Sequence, residues 1–456
     1  MMTVPHERLE TEDVNKLLLS LSFPAFIAMM ASGIYSIIDT VLIGRGVGTI
    51  AIGAIAIGFP IQTLYMAFSQ LVAIGSAQAI SRAIGSQDET KATQIATNAY
   101  VLSFFISILL SILTFLFLDP LLTLFGATTD LLPYAKEYIR VISIGVVFNA
   151  LTLLSNAIFR AQGFTKLSTY SVLIGIFTNL CLSPLLVLGL GWGITGAAVG
   201  TVCSHLASCI FSLFFILIKR VGIPLKRSDM KLRLSTIKQI ITVGLSAFAR
   251  NSSTSICSLI INNTLKIYGG SFAILTFGIV NRLVSFFFLP LLGVTQGLQP
   301  IVGYNFGANH PQRILKVLRF AIFYTTILGL FATVVSYLFP YQMLSLFTDN
   351  QEVVEQAIPI LKLKVMLFSL VGIQMVTATF FQSLGKAWSS LFLSLLRQFI
   401  LLLPLVYFIP RLTDLKLTGV FISFPITDFL SFAITCAMLL YQVRKLRDIK
   451  KVATTK

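Results

Sequence analysis

The feature that most constrains this chain is its opening apolar stretch, Leu17 to Gly44, LLLSLSFPAFIAMMASGIYSIIDTVLIG, which carries one charged residue, Asp39. A helix of about 20 apolar residues crosses a bilayer, so the stretch reads as a membrane span with a carboxylate inside it. Insertion scales put such a charge at roughly 2.5–3.5 kcal/mol, and a chain keeps one where a pathway or partner compensates. Spacings of three, four and seven residues return to one helix face. They place Ser32, Tyr35, Ser36, Asp39 and Thr40 on one polar stripe. Two readings of Asp39 follow. It serves an ion or substrate pathway, or it is interfacial, since Arg45 follows closely.

Eleven further spans are expected, at about 50–81, 94–118, 134–159, 167–190, 194–218, 239–265, 271–304, 317–339, 357–384, 387–409 and 417–443. Composition agrees. The 456 residues are 56% hydrophobic and 11% charged, with a mean hydropathy of +0.89, against about 25% charged in soluble domains. The net charge of +17 would suggest a nucleic-acid partner in a soluble protein. Here the Lys and Arg residues gather in short links between spans, which is how orientation is set, and no nucleic-acid partner is expected. Cys181, Cys203, Cys209, Cys257 and Cys436 lie in apolar runs without zinc or disulfide spacing. The start MMTVPHERLETEDVNK lacks a basic signal-peptide n-region and is expected to stay on the mature protein.

The link after span six holds Lys219, Arg220, Lys226, Arg227, Lys231, Arg233 and Lys238 against Asp229, and is read as cytoplasmic. Alternation puts Arg82/Lys91, Arg160/Lys166, Arg313/Lys316/Arg319, Lys386 and the tail Arg444/Lys445/Arg447/Lys450/Lys451 on that side, with Asp349, Glu352 and Glu355 outside. Both termini are then cytoplasmic in a multi-pass cell-membrane protein. The segments are 1–16 (N-terminal), 17–222 (spans one to six), 223–238 (basic linker), 239–443 (spans seven to twelve) and 444–456 (basic tail).

An offset of 222 residues relates Gly75 and Gly85 to Gly297 and Gly307, Phe125 to Phe347, and Phe159 and Gly163 to Phe381 and Gly385. With a slip of one or two, Thr195-Gly196 meets Thr418-Gly419 and Asp39 meets Asn263. Six helices are thus duplicated in parallel topology, a transporter plan that places binding at the repeat interface. The fold class is all-α integral membrane, with twelve transmembrane helices in two pseudo-symmetric six-helix lobes.

Residues 260–318, together with Tyr35-x3-Asp39-Thr40, Asn156-x3-Arg160-x2-Gly163, Arg397-Gln398-x5-Pro404 and Pro425-x2-Asp428, resemble the MATE (multidrug and toxic compound extrusion) family of the MOP superfamily, its DinF/MepA-like branch. The resemblance spans all twelve segments. It implies two lobes in a V around a central cavity and export of organic cations or other amphipathic compounds driven by inward proton or sodium flow. It also implies a cation or proton site joining Asp39 to an Asn and an Asp of span five and a Thr of span six. Asn179 and Thr201 are present; Ser183 stands in place of the second acid. One carboxylate with neutral oxygens makes a weaker sodium site than two. His205, on the stripe Thr201, Ser204, His205, Ser208, either compensates as a titrating group or is a core histidine bonded across helices.

No Walker motif, HExxH or nucleophile elbow is present, so no enzyme activity and no cofactor is expected, and energy comes from an ion gradient. In the second half, Arg250, Asn262, Asn263, Asn281, Arg282, Gln374, Arg397, Gln398 and Asp428 are embedded in apolar runs. Asp428 either pairs with Arg397 as a buried structural ion pair or takes part in proton relay or substrate binding. The candidate coupling set is Asp39, Asn179, Ser183, Thr201 and His205, with sodium at Asp39 as the alternative ion. The candidate substrate set is Tyr35, Ser36, Gln374, Asp428 and Arg397. The expected function is a monomeric, proton-coupled antiporter of small amphipathic cations. Arg250 and Arg282 keep a lipid-linked precursor flippase open, and the missing span-five acid keeps a non-transporting paralogue open.

Overall fold

A computed structural model describes residues 6–454 except 126, 128 and 349, so Asp349 lies outside the described residues. Every long element is a helix, as bilayer depth requires of a chain whose backbone cannot bond to water there. We number the membrane segments α1 (Val14–Gly46), α2 (Thr49–Gly85), α3 (Glu89–Leu116), α4 (Leu132–Ala161), α5 (Thr165–Pro184) and α6 (Gly193–Leu213). A continuous run Leu234–Gly307 is interrupted at Gly270, whose φ of 64° leaves the helical region, and supplies α7 (234–269) and α8 (271–307). Then come α9 (Pro311–Leu338), α10 (Gln351–Val365 and Phe368–Ser383, bent by 47°), α11 (residues 387–412) and α12 (Lys416–Thr454).

Among the described residues, ten helices are long and apolar enough to cross a membrane, and the bent pair of α10 makes an eleventh. The remaining segment, α7, is helical but carries Arg250, Asn251, Ser252, Ser253, Asn262 and Asn263. The sequence separates spans seven and eight by a short loop; the structure reduces that loop to one glycine. Its outer faces are apolar, with Phe105, Leu116, Phe177, Leu259 and Leu338 all more than half exposed, as lipid-facing side chains are. Inside, some buried hydroxyls bond to carbonyls of the preceding turn, as Ser76 does to Val72 at 2.7 Å and Thr325 to Ala321 at 2.8 Å, while others, such as Ser103 and Thr377, have no hydrogen-bond partner among the described residues.

One local irregularity has a proline behind it. Pro404 has no N–H for the carbonyl four residues back, and α11 widens over Leu396–Leu402 into a π-helical stretch just before it. Similar stretches, Leu185–Gly189 and Phe214–Ile218, directly follow α5 and α6.

The duplication is written in the backbone. Positive φ angles recur at Gly48 and Gly270, Gln87 and Asn309, and Gly163 and Gly385, each pair 222 residues apart. Short helices Leu118–Leu124 and Pro340–Ser345 follow α3 and α9 at the same offset.

By compactness, one unit comprises Met1–Glu12 and Ile27–Asn251 and the other Asp13–Phe26 and Ser252–Lys456. The first part of α1 thus counts with the second unit and the first part of α7 with the first. Glycines make this packing close. In the first unit a Cβ on Gly244 would lie 1.9 Å from the Leu71 carbonyl oxygen, and one on Gly75 2.0 Å from that of Ile240. In the second, a Cβ on Gly297 would lie 2.2 Å from Ser22 Oγ. Gly75 and Gly297, and Gly244 and Ser22, are repeat-related, so both units use one kind of small-residue crossing. Asp13 binds Lys316 at 2.8 Å and Asn15 accepts from Tyr324 at 2.7 Å, anchoring the start of α1 within the second unit. In the first, the basic linker is pinned by Asn98, which donates to the Asp229 carbonyl at 2.7 Å, and by Gln162, which accepts from the Ile223 N–H at 2.8 Å.

Gly244→Ala should lower the thermal stability of the detergent-purified protein by about 1–3 kcal/mol or more, as overpacking does. Gly278→Ala, whose Cβ would meet nothing within 4 Å, should leave it unchanged. Equal melting temperatures for the two variants would refute the close-crossing account.

Candidate functional site

In the first unit, Asp39 lies one turn after Tyr35 on α1. The Tyr35 hydroxyl lies beside the Asp39 carboxylate and Thr201 of α6, and Tyr138 of α4 sits within electrostatic range of Asp39. Asn179 Nδ2 donates to Thr201 Oγ1 at 3.4 Å, and Ser183 Oγ donates to Asn179 Oδ1 at 2.9 Å. A chain of polar contacts therefore runs Asp39–Tyr35–Thr201–Asn179–Ser183 across α1, α6 and α5. Asn179 and Ser183 are buried, and Asp39 Oδ1 is buried with no hydrogen-bond partner among the described residues. Helices α5 and α6 meet where a Cβ on Gly200 would lie 2.3 Å from Ser183 Oγ.

Two of the expected residues stand apart. His205 Nε2 faces Asn149 Nδ2 of α4 at 3.4 Å, and its carbonyl accepts from Thr152 at 3.3 Å, which is a cross-helix arrangement. Ser36 is exposed, and its carbonyl accepts from Thr40 at 2.8 Å.

In the second unit, Arg397 and Asp428 form an ion pair, Nε to Oδ1 at 2.6 Å, with the Asp428 side chain 1% exposed. Gln374 Nε2 donates to the Asp428 carbonyl at 2.9 Å, so α10, α11 and α12 converge there. Asp428 Oδ2 and Gln374 Oε1 are buried without hydrogen-bond partners among the described residues. The sequence reading missed Lys364. It is buried in the first part of α10, donates to Asn281 Oδ1 of α8 at 2.6 Å, and lies over the rings of Phe277 and Phe424 at 4.3 and 5.1 Å. Its signal in the sequence is a lysine inside the apolar run 358–371. Among the described residues no three His, Cys, Asp or Glu side chains gather as a metal site.

The MatE family model matches residues 24–185 and again 247–408, once in each half. The chain belongs to the MatE family. Among curated relatives, it is 26% identical over 439 residues to the multidrug export protein MepA of Staphylococcus aureus strain MSSA476, covering 95% of each chain. Among solved structures, it superposes with a TM-score of 0.92 and 24% identity on an outward-facing multidrug resistance MATE family transporter, covering 98% of this chain and 99% of that one. A MOP superfamily transporter from Pyrococcus furiosus gives a TM-score of 0.93 at 24% identity, over 98% and 100% of the two chains. The twelve-helix, two-lobed MATE architecture accounts for these matches, and the double family match agrees with the 222-residue duplication.

The contact at Gly200 generates a prediction about the absent second acid. Ser183→Asp should lower folded yield rather than create a carboxylate pair, because the position is fully buried and backbone-close. Ser183→Ala should cost only about 1–3 kcal/mol, from the Asn179 oxygen left unpaired. A well-folded Ser183→Asp protein in size-exclusion chromatography would refute this.

Proposed function

We propose that this MatE protein is a secondary active exporter, an antiporter that moves amphipathic cationic compounds out of the cell by alternating access, with proton coupling favoured over sodium. The observation that carries the reading is Asp39, a carboxylate on α1 with one buried oxygen unpartnered and neutral oxygens of Tyr35, Thr201, Asn179 and Ser183 linked to it in series. A proton neutralises such a carboxylate outright. A sodium ion would take several oxygen ligands, and here Ser183 and Asn179 already bond to each other. Proton and cationic substrate would compete for the one negative charge, so each promotes release of the other. The name of the staphylococcal relative supports the multidrug part of the reading.

The protein works in the cell membrane with both termini in the cytoplasm, as a monomer, without a cofactor and without enzymatic chemistry. The basic linker supports that orientation. His205 is left a supporting role through Asn149, away from the Asp39 chain.

The test is ethidium efflux from proteoliposomes under an imposed pH gradient or, separately, a sodium gradient. Wild type should move dye with the pH gradient. Asp39→Asn should fold normally and lose coupled efflux by at least about tenfold, since a neutral amide cannot exchange the proton. Wild-type efflux in Asp39→Asn would overturn the mechanism. Dye movement with neither gradient would favour a flippase, to be checked by accumulation of lipid-linked precursor in a deletion strain.

A further inference from the structure

In the second unit two aromatic rings and an amide oxygen converge on one point. Phe277 of α8 and Phe424 of α12 present ring faces to one point, their centroids 5.7 Å apart, and Asn281 Oδ1 of α8 points to the same place. Phe277 and Phe424 are buried, while Asn281 is exposed and forms the rim. Two ring faces within about 6 Å of a cation and a carbonyl oxygen beside it are the recognition chemistry of an ammonium group. The point is occupied by an ammonium already, that of Lys364, at 4.3 and 5.1 Å from the two rings and 2.6 Å from the oxygen.

Lys364 has somewhere else to go. Its ammonium carries three N–H donors, and Asn281 is the hydrogen-bond acceptor found for it. Asp428, within electrostatic range of Lys364, uses Oδ1 for Arg397 and leaves Oδ2 buried and unpartnered, and Gln374 Oε1 is likewise unpartnered. Arg397, which sits 5.8 Å over Phe288, is the other charged group in range. The cluster thus offers one cation two resting places: the aromatic cage and the free carboxylate oxygen.

We propose that the Phe277–Phe424–Asn281 cage is a subsite for the cationic group of transported compounds, and that Lys364 is its tethered occupant, displaced toward Asp428 when substrate enters. The inference rests on the export reading for its substrate class. It makes Lys364 a built-in competitor that lowers affinity for cations, which speeds their release.

The experiment is equilibrium binding of radiolabelled tetraphenylphosphonium to the purified full chain at fixed pH, with no gradient. A lysine filling the cage nine-tenths of the time lowers apparent affinity about tenfold, because binding is scaled by the vacant fraction. Lys364→Met should therefore bind the probe about tenfold more tightly than wild type. Lys364→Gln, which retains a polar group for Asn281, should shift the same way and stands in should the Met variant not fold. Adding Phe277→Ala to Lys364→Met should cancel the gain. Unchanged or weaker binding in both Lys364 variants would overturn the proposal. So would loss in them of an anionic naphthalene sulfonate dye that wild type binds, with no gain for the cation, since Lys364 would then hold anions. Failure of the export reading is read separately, as wild-type proteoliposomes that move ethidium under neither gradient.

Discussion

A carboxylate at bilayer depth must be answered by something, and the two halves of this chain answer theirs in opposite ways. Asp39 is met by the neutral hydroxyl of Tyr35, which Thr201 neighbours in turn. Asp428 is met by the guanidinium of Arg397 at 2.6 Å, with Lys364 in range. A buried ion pair holds its charges in place, and removing one partner is costly. Neutral partners leave the charge free to be cancelled by a proton or a cation. The two halves thus differ in charge: one holds an acid with an unpartnered oxygen, the other an acid paired with arginine beside a buried lysine.

That difference is built on a backbone that repeats closely. The left-handed residues, the short helices after α3 and α9, and the glycine crossings at Gly75 and Gly297 recur at one offset. Backbone geometry in a membrane is constrained by the need to satisfy every N–H and C=O internally, so a duplicated scaffold keeps its turns. Side chains facing the interior are under no such constraint. Asp39 aligns with Asn263, and the two lobes can diverge in charge without changing shape.

Most of this scaffold was legible in the sequence because it follows from hydropathy and periodicity. Spans and the duplication needed only residue spacing. The exchange of Asp13–Phe26 and the start of α7 between compact units was not legible, because it depends on glycine contacts between distant segments, Gly244 with Leu71 and Gly297 with Ser22. The candidate site was partly legible. Asp39, Tyr35, Asn179, Ser183 and Thr201 fall into one contact chain as their face positions and the family resemblance imply. Ser36 shares the stripe in register and is exposed. Lys364 escaped because a lysine near a span end is ordinarily read as a topology signal, and its burial follows from two phenylalanines on other helices.

The Ser183 replacement ties these strands together. A second acid there would have to be charged or protonated at a position with no exposure, facing the backbone of Gly200. With serine, the hydroxyl instead satisfies Asn179, whose amide in turn reaches Thr201. The first unit therefore gives up a second negative charge and gains a hydrogen-bonded wall that fixes Thr201 against Tyr35. On the export reading proposed above, a single carboxylate with pre-set neutral neighbours would take one proton or one organic cation at a time, the exclusivity an antiporter needs from its site.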